Sequence, residues 1–325
     1  MKIGVAGTGH LGKIHLKCIG LIPEYDLAGF YDPNPDIAAE VSREFGVKAY
    51  PSLEEMLADV DVLDIVSPTT THFELAKLGL EAGCHVFIEK PVTSDSEECR
   101  KLLELSEKRP DQKIQIGHVE RFNPAFLALE DIGLKPGFIE GHRLANFNPR
   151  GTDVSVVLDL MIHDLDLILK MVGSPVKQVH AKGVAILSKS HDICNARIEF
   201  ENGTVVNLTA SRMSLKAMRK LRVFQEGAYI ALDFLEKEAQ IIRFLEEGEK
   251  VPADREIMEL PTPEGTRRIL VDFAEKKEVN AIKMELESFY ECISSDSQPY
   301  VSLEDGFKAL DLAEKIMAAS GEKKT

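Results

Sequence analysis

The chain has 325 residues, 44% hydrophobic and 29% charged, with a formal net charge of −15. Those figures fit a soluble globular protein with enough chain for two domains. The negative balance argues against nucleic acid or an anionic membrane surface as partner, although a helix N-terminus or a few local cations can still hold a small anion.

Five cysteines, Cys18, Cys84, Cys99, Cys194 and Cys292, are scattered without a CxxC pair. That pattern predicts neither a disulfide framework nor a zinc site, and it fits a reducing, cytoplasmic setting. The first residues run into a strand-like segment with no charged and then apolar leader, so no signal peptide is expected. No repeat or low-complexity segment is visible.

The apolar run at 2–6 predicts a strand, followed at once by Gly7-Thr8-Gly9-His10-Leu11-Gly12 and a helical pattern to about residue 20. GxGxxG between strand and helix is a dinucleotide fingerprint. The first glycine makes the tight turn, the second admits a pyrophosphate, and the third lets helix pack on strand. A second strand at 26–31 ends at Asp32, where a carboxylate accepts hydrogen bonds from the adenosine ribose of NAD. The same charge repels the extra phosphate of NADP, and no Arg or Lys follows in 33–37 to receive it. NAD is therefore expected over NADP.

Alternation continues: helices at 37–45 and 52–57, strand 62–67, helix 73–82, strand 85–89, helix 94–108 and strand 113–117. Apolar strands alternating with helices predict a parallel, doubly wound Rossmann sheet with its ligands at the carboxyl ends of the strands. Glu89-Lys90-Pro91 lies at one such end. Pro91 restricts Lys90 to extended geometry, and a lysine held there could donate to a substrate hydroxyl and stabilise developing alkoxide charge. A strand-terminal lysine read alone is equally a solvated surface charge.

After Asn123-Pro124 the pattern changes to a strand at 137–147, a loop at 148–153 and an apolar helix at 156–169. Strands then follow at 176–187, 193–200, 204–212, 221–225, 229–234 and 240–244, with Glu201-Asn202-Gly203 as a hairpin turn. Consecutive strands predict an α+β domain built on an open, mostly antiparallel sheet, whose outer face would meet a second subunit. Residues 246–255 are charged and predict a loop, and helices at 281–293 and 303–319 close the chain, the last opened by a capping box of Ser302 and Asp305. The domains are thus 1–121 and 122–325, with helix 302–320 packing back on the first.

The helix at 156–169 is almost wholly apolar, yet Asp159, His163 and Asp166 fall at spacings of four and three, which places them on one α-helical face. Buried carboxylates and an imidazole must be paired or used. A structural ion-pair network and a catalytic constellation both fit. The same charged residues argue against a membrane span. Asp164 points off this face and is expected to be solvated or salt-bridged.

Several motifs in order resemble the glucose–fructose oxidoreductase/inositol dehydrogenase/rhizopine catabolism (Gfo/Idh/MocA) family over essentially the whole chain. They are GVAGTGHLG from Gly4, AGCHVFIEKP from Ala82, DLMIHDLDLI from Asp159 and VSLEDGFKALDLAEKI from Val301. The resemblance implies a catalytic lysine at Lys90, with Asp159 and His163 as the family's DxxxH pair and Asp166 as the acidic position after it. It also implies cofactor contacts from Gly7, Gly9, His10, Leu11, Gly12, Asp32, Ser67, Pro68, His72, Glu89 and Lys90. The family's TPNxxH reads Ser67-Pro68-Thr69-Thr70-Thr71-His72 here, so Thr69 stands where the family has asparagine. Gly117-His118-Val119-Glu120-Arg121-Phe122-Asn123-Pro124 resembles the branch that oxidises carbon 3 of UDP-N-acetylglucosamine. That implies substrate contacts from Arg121, Asn123, Arg150, Asp159 and His163, the arginine forks facing the diphosphate. A structural role is the alternative for each arginine.

The expected reaction moves a hydride between a sugar secondary alcohol and nicotinamide. His163 takes the hydroxyl proton, an imidazole's ordinary pKa of about 6.5 being suited to this. Lys90 donates to the same oxygen, Asp159 acts beside His163 at the substrate, and Asp166 supports the helix. Two other readings stay open: a dehydrogenase of a free polyol such as inositol, and a non-catalytic NAD-binding regulator, against which the intact Lys90, Asp159 and His163 set argues. No metal is expected, because Lys90 would oppose a cation. A homodimer or homotetramer through the open sheet is expected.

Overall fold

The computed structural model describes residues 1–130, 132–148, 154–246, 249, 251, 257–263, 265–273 and 279–322, which form two compact units. The first comprises Met1–Val119 with Asn280–Asp311, and the second Glu120–Val279 with Leu312–Thr325.

In the first unit β1 (Lys2–Ala6), β2 (Asp26–Tyr31), β3 (Val62–Ile65), β4 (His85–Glu89) and β5 (Ile114–Gly117) form a parallel sheet in the order β2-β1-β3-β4-β5. Helices α1 (His10–Ile19), α2 (Pro35–Phe45), α3 (Leu53–Leu57), α4 (His72–Glu81) and α5 (Ser96–Glu107) make the crossovers. Their starts follow local chemistry. Asn34 accepts from the N–H groups of Asp36 and Ile37 with Pro35 in the first turn, and Asp95 caps α5 through the N–H groups of Glu97 and Glu98. That cap is why α5 begins two residues later than the pattern from residue 94 predicts.

Helix α8 (Ala281–Ser294) also belongs to this unit, although the sequence assigns it to the second domain. Leu286 and Phe289 are wholly buried with Ile3, Leu16, Phe30 and Phe87, and fully burying one such side chain contributes about 1.5–3 kcal/mol. Tyr25 donates its hydroxyl to the Leu286 carbonyl at 3.1 Å. The chain passes to the second unit within α9 (Leu303–Ser320), between Asp311 and Leu312. The capping box closes both ways: the Asp305 N–H donates to Ser302 Oγ (3.1 Å) and the Ser302 N–H to Asp305 Oδ2 (3.2 Å).

In the second unit the short α6 (Pro124–Leu127) precedes β6 (Phe138–Leu144), a helix over residues 157–172, and then β7 (Val176–Val184), β8 (Ile193–Phe200), β9 (Val205–Ser211), β10 (Met218–Gln225), β11 (Ala228–Asp233), β12 (Glu238–Phe244), β13 (Ile257–Thr262) and β14 (Gly265–Phe273). Among the described residues the sheet order is β13-β14-β12-β11-β10-β6-β9-β8-β7, antiparallel except for β6 with β9. Strands β13 and β14 are additional to the sequence reading. Their alternation is blurred because most β13 side chains are exposed. Strand β7 stops short of 187 because the N–H groups of Ile186, Leu187 and Ser188 turn onto Asp192 Oδ2. The expected turn at Glu201-Asn202-Gly203 joins β8 to β9, with Gly203 at φ 89°. Register carries one buried row, Ile198–Val206–Ile139–Val223–Ile230, across five strands onto the helix at 157–172. Most of the predicted loop at 148–153, part of 246–255, and Arg150 lie outside the described residues.

Candidate functional site

A cleft of about 540 Å³ opens at the carboxyl ends of β1 and β3, lined by Gly7, Gly9, His10, Leu11, Asp32, Ser67 and Pro68, all predicted to face the cofactor. The glycines separate by role. Gly7 has φ 94°, and a Cβ there would sit 2.6 Å from the Ser67 backbone. A Cβ on Gly12 would meet the Gly7 carbonyl oxygen at 2.1 Å, so this residue sets how closely α1 approaches the turn rather than lining the cleft. At Gly9 a Cβ would meet nothing within 4 Å: the backbone is open where a ligand would approach. Helix α1 has no side-chain cap and no acidic residue in its first turn, leaving its N-terminal N–H groups for an anion.

Asp32 Oδ2 accepts from both the N–H and the hydroxyl of Thr8 at 2.9 Å, and Oδ1 accepts from the Asn34 N–H at 3.0 Å. Thr8, Tyr31, Thr71, Ile37 and Leu75 also line the cleft and were not singled out by the sequence reading. For Thr8 a signal existed, since it sits between two glycines directly opposite the strand-terminal Asp32. Ser67 and Thr71 bond to each other through their hydroxyls at 2.7 Å, which closes the turn carrying Pro68. His72 is buried beneath, its ring nitrogens 2.9 Å from the carbonyl oxygens of Ser67 and Pro91; it ties two loops together instead of lining the cleft.

Lys90 follows β4, half-buried, with a cis peptide to Pro91. Glu89 was expected among the cofactor contacts, but its carboxylate turns inward. Oε1 lies 3.2 Å from Nε2 of the buried His15, and Oε2 accepts the Lys90 N–H at 3.1 Å.

In the second unit the expected straight helix differs in form. Val157–Met161 is a π turn, closed by the Ile162 N–H on the Val157 carbonyl, and α7 (Ile162–Val172) continues from it. The wider turn ends the simple four-residue stacking of Asp159 under His163, and such turns concentrate at functional sites. Ser155 holds the entry, accepting the Val157 N–H at 3.2 Å and donating to Glu322 at 2.7 Å. Asp159 and His163 are partly exposed, whereas Asp166 is 1% exposed.

The buried acids are paired. Arg121 donates from Nε and Nη2 to both oxygens of Asp166 (2.8 and 2.6 Å), and Arg143 does the same to Asp164 (3.0 and 2.7 Å) while its Nη1 reaches Glu120 at 2.8 Å. Burial opposes the Arg143 charge, but Asp164 and Glu120 outweigh it and raise its pKa further. Asp164, predicted solvated or salt-bridged, is the second. Arg121, predicted to face a diphosphate, instead anchors α7, for its fork fits the Asp166 carboxylate and both are buried. Asn123, also predicted at the substrate, caps α6 by accepting the Ala125 N–H and donates to Glu120 and the Phe234 carbonyl. Arg143 was missed, although alternation along β6 puts it on the inward face with Ile139 and Gly141.

A family model described as "Oxidoreductase family, NAD-binding Rossmann fold" matches residues 1–118, and one described as "GFO/IDH/MocA C-terminal domain" matches residues 138–230. The chain belongs to the Gfo/Idh/MocA oxidoreductase family. It is 37% identical over 320 residues to a UDP-N-acetylglucosamine 3-dehydrogenase of Acidithiobacillus ferrooxidans, covering 98% of this chain and 97% of that one. A solved structure of that enzyme matches with a TM-score of 0.87 at 36% identity, covering 99% and 98% of the two chains. A myo-inositol 2-dehydrogenase of Thermotoga maritima is 26% identical over 344 residues, covering 100% and 98%. As a Gfo/Idh/MocA dehydrogenase the chain uses NAD, and the open backbone at Gly9, the uncapped α1 and the Asp32 carboxylate fit that dinucleotide. No helix among the described residues is long and apolar enough to cross a membrane.

Proposed function

We propose that this dehydrogenase oxidises the carbon 3 hydroxyl of UDP-N-acetylglucosamine to a ketone with NAD. The observation carrying the substrate is the 37% identity over nearly the full length of both chains with an enzyme of that name, against 26% for the inositol dehydrogenase. NAD, when bound, supplies the hydride acceptor at nicotinamide carbon 4. His163 takes the hydroxyl proton as the carbon–hydrogen bond breaks, and Lys90 donates to the same oxygen and stabilises its alkoxide character. Asp159 serves the substrate from the π turn beside His163 in the first turn of α7, and both side chains are partly exposed. Arg121 and Asp166 keep α7 in place beneath them.

His163→Ala and Lys90→Ala are each expected to lower kcat by about 10²–10⁴-fold, the usual worth of a positioned acid–base group. Near-parental turnover in both variants contradicts these roles. A substrate panel settles the sugar: turnover with UDP-N-acetylglucosamine and none with myo-inositol supports the reading, and the reverse overturns it.

A cytoplasmic setting is supported by five cysteines that are all free and buried. A homodimer or homotetramer through the outer sheet face is supported by the row Phe138–Phe224–Tyr229–Ile242 and its neighbours Phe244 and Met258, brought to one face by strand register. Light scattering that gives the mass of a single chain contradicts the oligomer.

A further inference from the structure

A polar cluster inside the first unit takes no part in the chemistry just described. His15, on the inward side of α1, places Nδ1 2.9 Å from Asp64 Oδ2 on β3 and Nε2 3.2 Å from Glu89 Oε1 at the end of β4. His15 and Asp64 are wholly buried. The other Glu89 oxygen accepts the main-chain N–H of Lys90 at 3.1 Å. The Glu89 carboxylate packs over Gly117, where a Cβ would meet Oε1 at 2.9 Å. The Phe87 ring stands edge-on to His15, with centroids 5.9 Å apart. A continuous polar chain thus runs from Asp64 through His15 and Glu89 to the backbone of Lys90.

The charges agree with that order. Burial disfavours a charged His15, but the adjacent Asp64 and Glu89 outweigh it and hold the ring protonated well above its ordinary value. Glu285 of α8, fully buried and within 4.8 Å of the facing His15 and Glu89 atoms, is likewise raised: burial and the Glu89 charge keep its carboxyl protonated and so neutral. Burial also pushes the Asp64 carboxyl up, opposed by the His15 charge, so one imidazolium bridges Asp64 and Glu89 beside a neutral acid. Each His15 nitrogen donates, which fixes the plane of Glu89 and with it the oxygen offered to Lys90.

We propose that His15 is a positioning residue for Lys90, acting through the Glu89 carboxylate and not through contact with substrate. This rests on the catalytic role given to Lys90 above. Without the imidazolium, Glu89 becomes a buried carboxylate lacking its main donor and must protonate or rotate. Either change releases the Lys90 main chain, and a displacement of about 1 Å at a reacting group costs up to about 100-fold in rate.

The test compares His15→Gln, Lys90→Ala and the double variant in the full-length chain, with kcat and the NAD dissociation constant as readouts. His15→Gln should lose about 10- to 100-fold in kcat, bind NAD as the parent does, and cause no further loss in the Lys90→Ala background. Parental kcat in His15→Gln, a loss that appears in NAD affinity instead, or an equal further loss in the double variant overturns the proposal while leaving Lys90 in its role. Full turnover in Lys90→Ala overturns that role and the proposal with it. If His15→Gln does not fold, Glu89→Gln breaks the same link and carries the same expectations. Stoichiometric metal in the purified protein by elemental analysis also overturns it, because His15 Nε2 would then face the metal.

Discussion

The Asp32 carboxylate stands at the cofactor cleft with Oδ2 fixed by Thr8 and Oδ1 by Asn34, so its charge is held in place rather than free to swing. A fixed anion there accepts from ribose hydroxyls and repels an added phosphate. Asp32→Ser should therefore narrow the preference for NAD over NADP by about tenfold or more, read as the ratio of kcat/KM for the two cofactors. An unchanged ratio would mean that another residue sets the choice. At this scale the sequence was informative where spacing dictates geometry, as for the glycines and Asp32. It was silent where direction matters. Nothing in Arg121 or Glu89 as letters says that one fork lies on Asp166 and one carboxylate on His15, since both follow from packing between segments far apart in the chain.

Helix α1 and its turn make a separable prediction at the scale of an element. A Cβ at Gly12 collides with the Gly7 carbonyl oxygen, whereas one at Gly9 meets no protein atom. Gly12→Ala should thus lower stability by about 1–3 kcal/mol as well as NAD affinity, as overpacked sites do. Gly9→Ala should leave the unfolding midpoint at its parental value and lose NAD affinity alone, which denaturant titration and calorimetry distinguish. Equal destabilisation by both contradicts the assignment of Gly9 to the ligand. Regular elements were legible because apolar period and caps agree along most of the chain. The π turn at Val157–Met161 was not, because an extra residue in a turn leaves the apolar pattern nearly unchanged. β13 was missed because exposure on both sides erases the two-residue period, and β14 because its partly buried residues run consecutively instead of alternating.

The whole molecule combines a sheet legible from βα alternation with a second sheet legible only as a class. The return of α8 to the first unit was hidden, since amphipathic spacing shows that a helix buries a face without saying against what. That return also brings Glu285 beside His15, with a consequence for stability. His15 has an ordinary pKa of 6.5 and Glu285 one of 4.5, and both are raised well above these in the folded chain. Folding therefore takes up protons above those values, and the stabilisation, complete at lower pH, is lost as pH rises through the folded values. The thermal midpoint should fall as pH rises above these ordinary values, and Glu285→Gln, which fixes a neutral side chain, should flatten the slope. An identical slope in that variant contradicts the protonated acid.

Substrate carrying deuterium at carbon 3 of UDP-N-acetylglucosamine reads out directly whether the hydride leaves that carbon. The reduced nicotinamide should contain the deuterium, the sugar product should lack it, and NMR should show a carbonyl at carbon 3. Reduced nicotinamide without the label, or a sugar that keeps it, would rule out hydride transfer from carbon 3.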